Sequence, residues 1–226
     1  MITGATAALP ASSPRIRKSA LDNPPRGARN PAAGRDAGSA GLQRRRLLMA
    51  KTSLALSRVY RLLEPGPVVL VTTANRTRTN VMALSWHMMM EFVPPLVGCV
   101  LSDRNYSFSL LTESRECVIN IPTRDLARTV VACGNASGRR RDKFADFGLT
   151  PTDAKHVLPP LIGECFANLE CRVVDTHMAR RYNMFVLEVV AAWIDRSVKR
   201  PRTIHHMGDG TFMVAGDVIR LPSRKK

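Results

Sequence analysis

The chain has 226 residues, is 45% hydrophobic and carries a formal net charge of +16. That length allows one generous domain or two small ones, with ample apolar content for a core. The charge invites nucleic acid, but no RNA-binding aromatic motif, zinc-finger spacing or helix-turn-helix pattern accompanies it. No run approaches the ~20 apolar residues of a membrane span, so neither nucleic acid nor membrane is the expected partner.

The charge is also spread out. Up to Leu48 there are nine Lys/Arg against two Asp/Glu, and the rest carries twenty-five against sixteen, over many positions. Five cysteines, Cys99, Cys117, Cys133, Cys165 and Cys171, form no C-x-x-C pair. An odd number without such a pair predicts reduced, buried thiols in a cytoplasmic setting. The N-terminus lacks the apolar core of a secretory signal.

Residues 1–48 are rich in Pro, Gly, Ala, Ser and Arg and show no apolar periodicity. Such a stretch cannot repay its ordering entropy, so 1–48 is expected to be a disordered or mis-assigned extension. Met49 is the expected start, and 49–226 the folded domain. Along it the predicted elements are mostly strands. "PVVLVTTA", from Pro67 to Ala74, is β-branched and short, which suits a buried strand. In "NVMALSWHMMMEF" the even positions, Met82, Leu84, Trp86, Met88, Met90 and Phe92, are large and apolar. The odd positions, Val81, Ala83, Ser85, His87, Met89 and Glu91, are mostly smaller or polar. Period two predicts one strand with its even face in the core. It also separates His87 and Met89 from the other two methionines, against a soft-metal box.

Further strands are expected over Pro94–Ser102, Glu116–Pro122, "FANLECRVVD" and "NMFVLEVVAAWID". A helix is expected after a Thr123 cap and a short one in "DKFADFGL", stopped by Gly148. A terminal hairpin in "TFMVAGDVIRL" is expected to turn at Ala215, Gly216 and Asp217. Six or more strands with few helices predict a mainly β fold, a barrel.

Two polar clusters stand out. "SDRNYS" places Ser102, Arg104, Asn105 and Ser107 where a strand ends and a short helix opens. Hydroxyls, an arginine fork and helix N-terminal amides are groups that hold a phosphate. "NASGRRRDKF" offers Ser137, Gly138 and Lys143. The small side chains of Ala83 and Ser85 leave room for something flat, or equally for a packed helix.

"EPGPVVLVTT", "NVMALSW", "PPLVGCVLSDRNYSFSLL", "ECVINIP" and "SGRRRDKFADFGLTP" follow one another as in the flavin reductase-like (flavoredoxin-type) family. The resemblance runs from about residue 50 to 222 and rests on the order of many short motifs. It implies an antiparallel Greek-key split β-barrel, FMN near the barrel mouth and a homodimer that completes the site. Asn80, Met82, Ala83, Ser85 and Trp86 would line the isoalloxazine. Ser102, Arg104, Asn105, Tyr106 and Ser107 would take the phosphate, and Ser137, Gly138 and Lys143 would close the site. His206 stands where some relatives place a histidine near the flavin. His205 and His206 lack a third ligand at metal spacing. Around "DTHMARRYN" the chain departs from relatives carrying Gly-Asp-His. There Arg180 and Arg181 could meet the 2′-phosphate of NADPH or be a solvated basic turn.

The resemblance thus implies an FMN-dependent oxidoreductase taking a hydride from NADH or NADPH, with no catalytic acid or base required of the protein. A redox protein or monooxygenase is a further implied partner. Two alternatives stay open: an FMN electron carrier with a protein partner, and a basic nucleic-acid-binding β-barrel.

Overall fold

The computed structural model describes residues 51–222, so the expectation for residues 1–48 lies outside the described part. The chain forms an antiparallel β fold with a few short helices. Three strands follow one another around one short helix: β1 (Lys51–Ser53), α1 (Tyr60–Leu63), β2 (Val69–Ala74) and β3 (Thr79–Leu84). Next come β4 (His87–Phe92), β5 (Pro95–Val100), α2 (Tyr106–Ser114) and β6 (Glu116–Ile121). The middle holds α3 (Ala127–Asn135), α4 (Lys143–Asp146), β7 (Pro151–Thr152) and β8 (Leu161–Ile162). The chain then runs through β9 (Ala167–Asp175), α5 (Ala179–Tyr182), β10 (Met184–Asp195), β11 (Ile204–Gly208) and β12 (Thr211–Val214).

The main sheet has the order β3-β2-β6-β9-β10-β5-β4. β10 is where it splits. One edge of this twelve-residue strand pairs with β9, while the other meets β5 through Met184–Glu188 and β1 through Trp193–Asp195. The expected split barrel therefore has its seam along the longest strand.

β2 shows why the apolar run reads as it does. Val69 and Val71 face the barrel interior with Met82, Leu84, Ile119, Leu169 and Leu187. Val68 and Leu70 face a second core with Val81, Val130, Cys133, Phe144 and Ile204. A strand buried on both faces has no polar side to reveal by alternation. The second core also holds α3, α4 and the β11–β12 hairpin against the sheet.

A buried polar network ties the 150–165 segment to the sheet. Asn120 donates through Nδ2 to Leu70 O at 2.9 Å, and its Oδ1 accepts from Ile162 N and from Asn168 Nδ2. The Thr72 hydroxyl donates to Pro160 O at 2.6 Å. Glu170, fully buried, accepts from Lys155 N, His156 N and the Trp193 indole.

Three expectations are corrected. The stretch from Asn80 to Phe92 is two strands, broken at Ser85–Trp86 where the chain leaves β2 and turns to pair with β5. The two-residue break reverses the parity. In β3 the even residues Met82 and Leu84 lie in the core, but in β4 it is Met89 that packs against the core. Met88, Met90 and Phe92 are exposed, and Trp86 is 71% exposed rather than part of the barrel wall. A run of large apolar residues at both parities hides such a phase change. The third correction concerns the C-terminal hairpin. It turns at Gly208, Asp209 and Gly210, all at positive φ, with β11 before the turn and β12 after it. Ala215–Asp217 follow the last strand.

The five cysteines are all buried and unbridged. Among the described residues, no helix is long and apolar enough to cross a membrane.

Candidate functional site

The site is built where β3, the N-terminus of α2 and the 136–141 loop meet. Asn80 is the hub. Its Nδ2 donates to the Ser107 hydroxyl at 2.9 Å, and the Thr73 hydroxyl donates to the same oxygen at 3.1 Å. Thr73, Asn80 and Ser107 are all buried. Thr73 was not singled out from the sequence. The signal was a polar pair, Thr72 and Thr73, inside an otherwise apolar strand, since a buried hydroxyl must find a partner.

The other end of the Asn80 amide is left over. Oδ1 is buried and has no hydrogen-bond partner. Gly138 lies directly over it, and a Cβ at that position would sit 1.9 Å from Oδ1. Any other residue at 138 would push Asn80 off Ser107. The glycine therefore ties the second polar cluster to Asn80, 58 positions earlier in the sequence, and through Asn80 to Ser107 of the first. Beyond it, the Arg139 guanidinium lies over the Tyr106 ring, 4.9 Å from its centroid. Arg139 too was missed, because one arginine in a run of three carries no distinguishing pattern.

α2 has nine residues, with Asn105 as its cap in extended conformation, and the Asn105 side chain makes no capping bond. Phe108 N bonds back to Asn105 O at 3.1 Å, which leaves the Tyr106 and Ser107 amides and the positive dipole end to meet an anion. Ser102 shapes the approach by accepting Arg104 N on its hydroxyl at 3.3 Å and Asn105 N on its carbonyl at 2.9 Å. The Arg104 and Asn105 side chains are exposed beside it.

β3 is the terminal strand of the sheet order. Val81 O points away from β2, since Lys143 Nζ donates to it at 2.8 Å. By strand alternation Ala83 also turns its backbone N–H and C=O outward. The Ala83 side chain packs with α3 in the second core, and a Cβ on Gly134 would lie 3.8 Å from it. Of the two readings of the small face, packing against a helix is the one found. Met82 is in the barrel core. Ala83 therefore offers only its backbone on the outer edge, while Met82, paired with Val71 and packed in the core, offers neither backbone nor side chain.

Lys143 is placed differently from expectation. It is only 4% exposed, and its ammonium donates to Val81 O and, at 2.7 Å, to Cys133 O. Burial lowers its pKa, an effect partly opposed by Cys133. The residue clamps α3 to β3. Ser137 is exposed and accepts Arg139 N on its hydroxyl at 3.4 Å. His206 is exposed on β11 with its ring 5.2 Å from that of Phe212. No hydrogen bond among the described residues ties it to Asn80 or Ser107. His205 bonds to Gly66 O and Thr203 Oγ1, and no group of three or more His, Cys, Asp or Glu among the described residues is arranged for a metal. Arg180 and Arg181 are exposed in α5.

The cysteines offer no nucleophile. Burial pushes the Cys133 thiol up to about 11 and raises Cys99 well above its ordinary value. With no poised acid, base or thiolate there among the described residues, the arrangement is suited to holding a molecule that brings its own reactivity. A flavin mononucleotide fits it. The α2 N-terminus matches a phosphate, the outward backbone of β3 matches the polar edge of a flat ring, and Asn80 Oδ1 needs a donor that a ribityl hydroxyl carries.

Comparison with known proteins agrees with that chemistry. The sequence model of the flavin reductase like domain matches residues 60–211. An uncharacterized protein, YddH, from Escherichia coli K12 is 33% identical over 177 residues, 72% of this chain and 94% of its own. An FMN-binding domain of a flavin reductases-like enzyme from Shewanella baltica OS155 superposes with a TM-score of 0.72 at 26% identity. That match covers 76% of this chain and 97% of the other. Flavoredoxin of Desulfovibrio vulgaris (Miyazaki F) gives 0.65 at 26%, covering 71% and 92%. The chain belongs to the flavin reductase-like domain family.

Proposed function

We propose that the protein is an FMN-dependent oxidoreductase that accepts a hydride from NADH or NADPH and hands the electrons to an acceptor outside the chain. The observation that carries this reading is the buried, unpartnered Asn80 Oδ1 beneath Gly138, next to the open N-terminus of α2. A buried acceptor without a donor calls for an explanation, and at the mouth of an open helix N-terminus a bound molecule supplies one. FMN, when bound, supplies the redox chemistry by taking up a hydride.

The chain's own residues bind and orient. Ser102, Arg104, Asn105, Tyr106 and Ser107 hold the phosphate end, with Ser107 fixed from behind by Asn80 and Thr73. The outward backbone of β3 near Ala83, with Ser85 and Trp86 at the strand break, receives the ring. Holding the ring in one orientation lowers the entropic cost of meeting the nicotinamide.

The protein works as a homodimer in this reading. Trp86, Met88, Met90, Phe92 and Val93 are exposed together on β4 and its flanks. Met88 and Met90 also converge with Met184 over Gly98, where a Cβ would meet Met184 Cε at 2.9 Å. An apolar face of this kind on an edge strand is a place for a second copy. Five unbridged cysteines accord with a cytoplasmic setting.

The test is an absorbance spectrum of the purified protein, followed by anaerobic stopped-flow mixing with each nicotinamide. Flavin absorbance that bleaches within seconds supports the reading. Bound flavin that neither nicotinamide reduces would make the protein an electron carrier. Failure to bind FMN at all would remove the cofactor assignment.

A further inference from the structure

A second cavity shares its wall with the site. It has a volume of about 550 Å³ and is lined by Gly138, Arg78, Arg139, Arg140, Arg141 and Asp142. Its position is set by two local devices. Asn75 Oδ1 accepts from Thr77 N and Arg78 N, which holds the β2–β3 turn so that Arg78 reaches the groove. On the opposite side Asp142 caps α4 by accepting from Phe144 N and Ala145 N, which anchors the arginine run.

The charges are only partly used within the chain. Arg141 pairs with Asp146 at 2.7 Å, and Arg139 lies over Tyr106. Among the described residues, Arg78 and Arg140 have no carboxylate partner. One oxygen of the Asp142 carboxylate, Oδ1, is taken up by the helix cap. The lining also includes Pro151, Pro160 and Phe144, the last packed mainly in the second core. Guanidinium forks beside prolines suit a phosphorylated base, with the forks on phosphate and the prolines against the ring. The volume falls within the range of small-molecule sites.

We propose that this groove binds the adenosine-phosphate half of a dinucleotide. The inference rests on the flavin reading, since Gly138 and Arg139 are common to both places and put the two ligand parts end to end. The shared chemistry has two sources, the adenylate of FAD or the 2′-phosphorylated adenosine of NADPH.

The probes are 2′,5′-ADP and 5′-AMP, titrated calorimetrically into the protein with and without FMN. The variants are Arg78→Ala/Arg140→Ala and, as a control for general charge, Lys199→Ala/Arg200→Ala in the separate basic cleft near Arg61 and Arg202. The expected result is saturable binding that the Arg78/Arg140 pair weakens about tenfold or more, the loss of one or two charge-assisted contacts. FMN affinity should be unchanged. Tighter binding of 2′,5′-ADP, with a rise in the KM for NADPH but not NADH, assigns the groove to the nicotinamide. Equal binding of both probes, with a fall in the FAD-over-FMN preference, assigns it to the flavin's adenylate. Adenosine phosphates that bind while FMN does not would uphold the groove and refute the flavin reading. Absence of binding by either probe overturns the proposal, as does an equal loss in the Lys199/Arg200 variant.

Discussion

At the scale of residues, Asn80 decides most. Its amide holds Ser107 with one end and waits for a donor with the other. Gly138→Ala would place a methyl 1.9 Å from that waiting oxygen and force the amide off Ser107. The expected cost is roughly 1–3 kcal/mol of stability and a clear loss of flavin affinity, read by denaturant titration and by flavin fluorescence. Arg104→Ala acts only on the phosphate end. It should weaken FMN by about ten- to a hundred-fold through lost charge-assisted bonds, with riboflavin affected far less. Equal weakening of both flavins would move the phosphate elsewhere. Lys143→Met should behave differently, because its ammonium serves two backbone carbonyls. It should cost roughly 1–3 kcal/mol of stability and shift FMN and riboflavin together. A selective loss of FMN would place the lysine at the phosphate instead.

At the scale of elements, the strand break at Ser85–Trp86 has a consequence for His87. Opening β4, His87 bonds through Nε2 to Pro67 O at 2.7 Å, so that nitrogen carries the proton. Nδ1 is buried without a partner. Burial lowers its pKa, an effect the Pro67 carbonyl partly opposes. Above the ordinary imidazole value of about 6.5 the ring is neutral whether folded or unfolded. As pH falls below that value the unfolded chain takes up the proton first, so stability falls until the folded pKa is reached. Denaturant midpoints measured between pH 8 and 5 should decline on the acid side, and His87→Gln should flatten that part of the decline. An unchanged slope in the variant would assign the pH dependence to other groups.

For the whole molecule, the proposed dimer turns on the exposed face of β4. A carboxylate at the centre of an apolar interface has no partner, so Met90→Asp should convert a dimer to monomer in sedimentation or light scattering. The fold should survive, because Met90 is outside the core. A dimer that persists would place the interface elsewhere. The extension is tested at the same scale. The family match begins at residue 60, and a chain starting at Met49 should fold, bind flavin and dimerise like the full chain. Loss of any of these on truncation would give residues 1–48 a role.

The strands, the reduced cysteines and the polar clusters were legible in the sequence, because each depends on local pattern: β-branched runs, spacing and turn residues. Ser107 at a helix start and Gly138 in a polar loop could be named from those patterns alone. That one glycine must sit on one asparagine could not, since their contact is made by packing α3 and its loop across β3. The same holds for Lys143, expected to close the site, while the fold spends its ammonium on two carbonyls. The parity of β4 was hidden because methionines occupy both faces, and only pairing with β5 decides which face is buried. Local sequence determined which elements form and which groups they carry. Tertiary packing decided which of those groups remain free to bind, because hydrogen-bond partners and burial come from segments far apart in the chain.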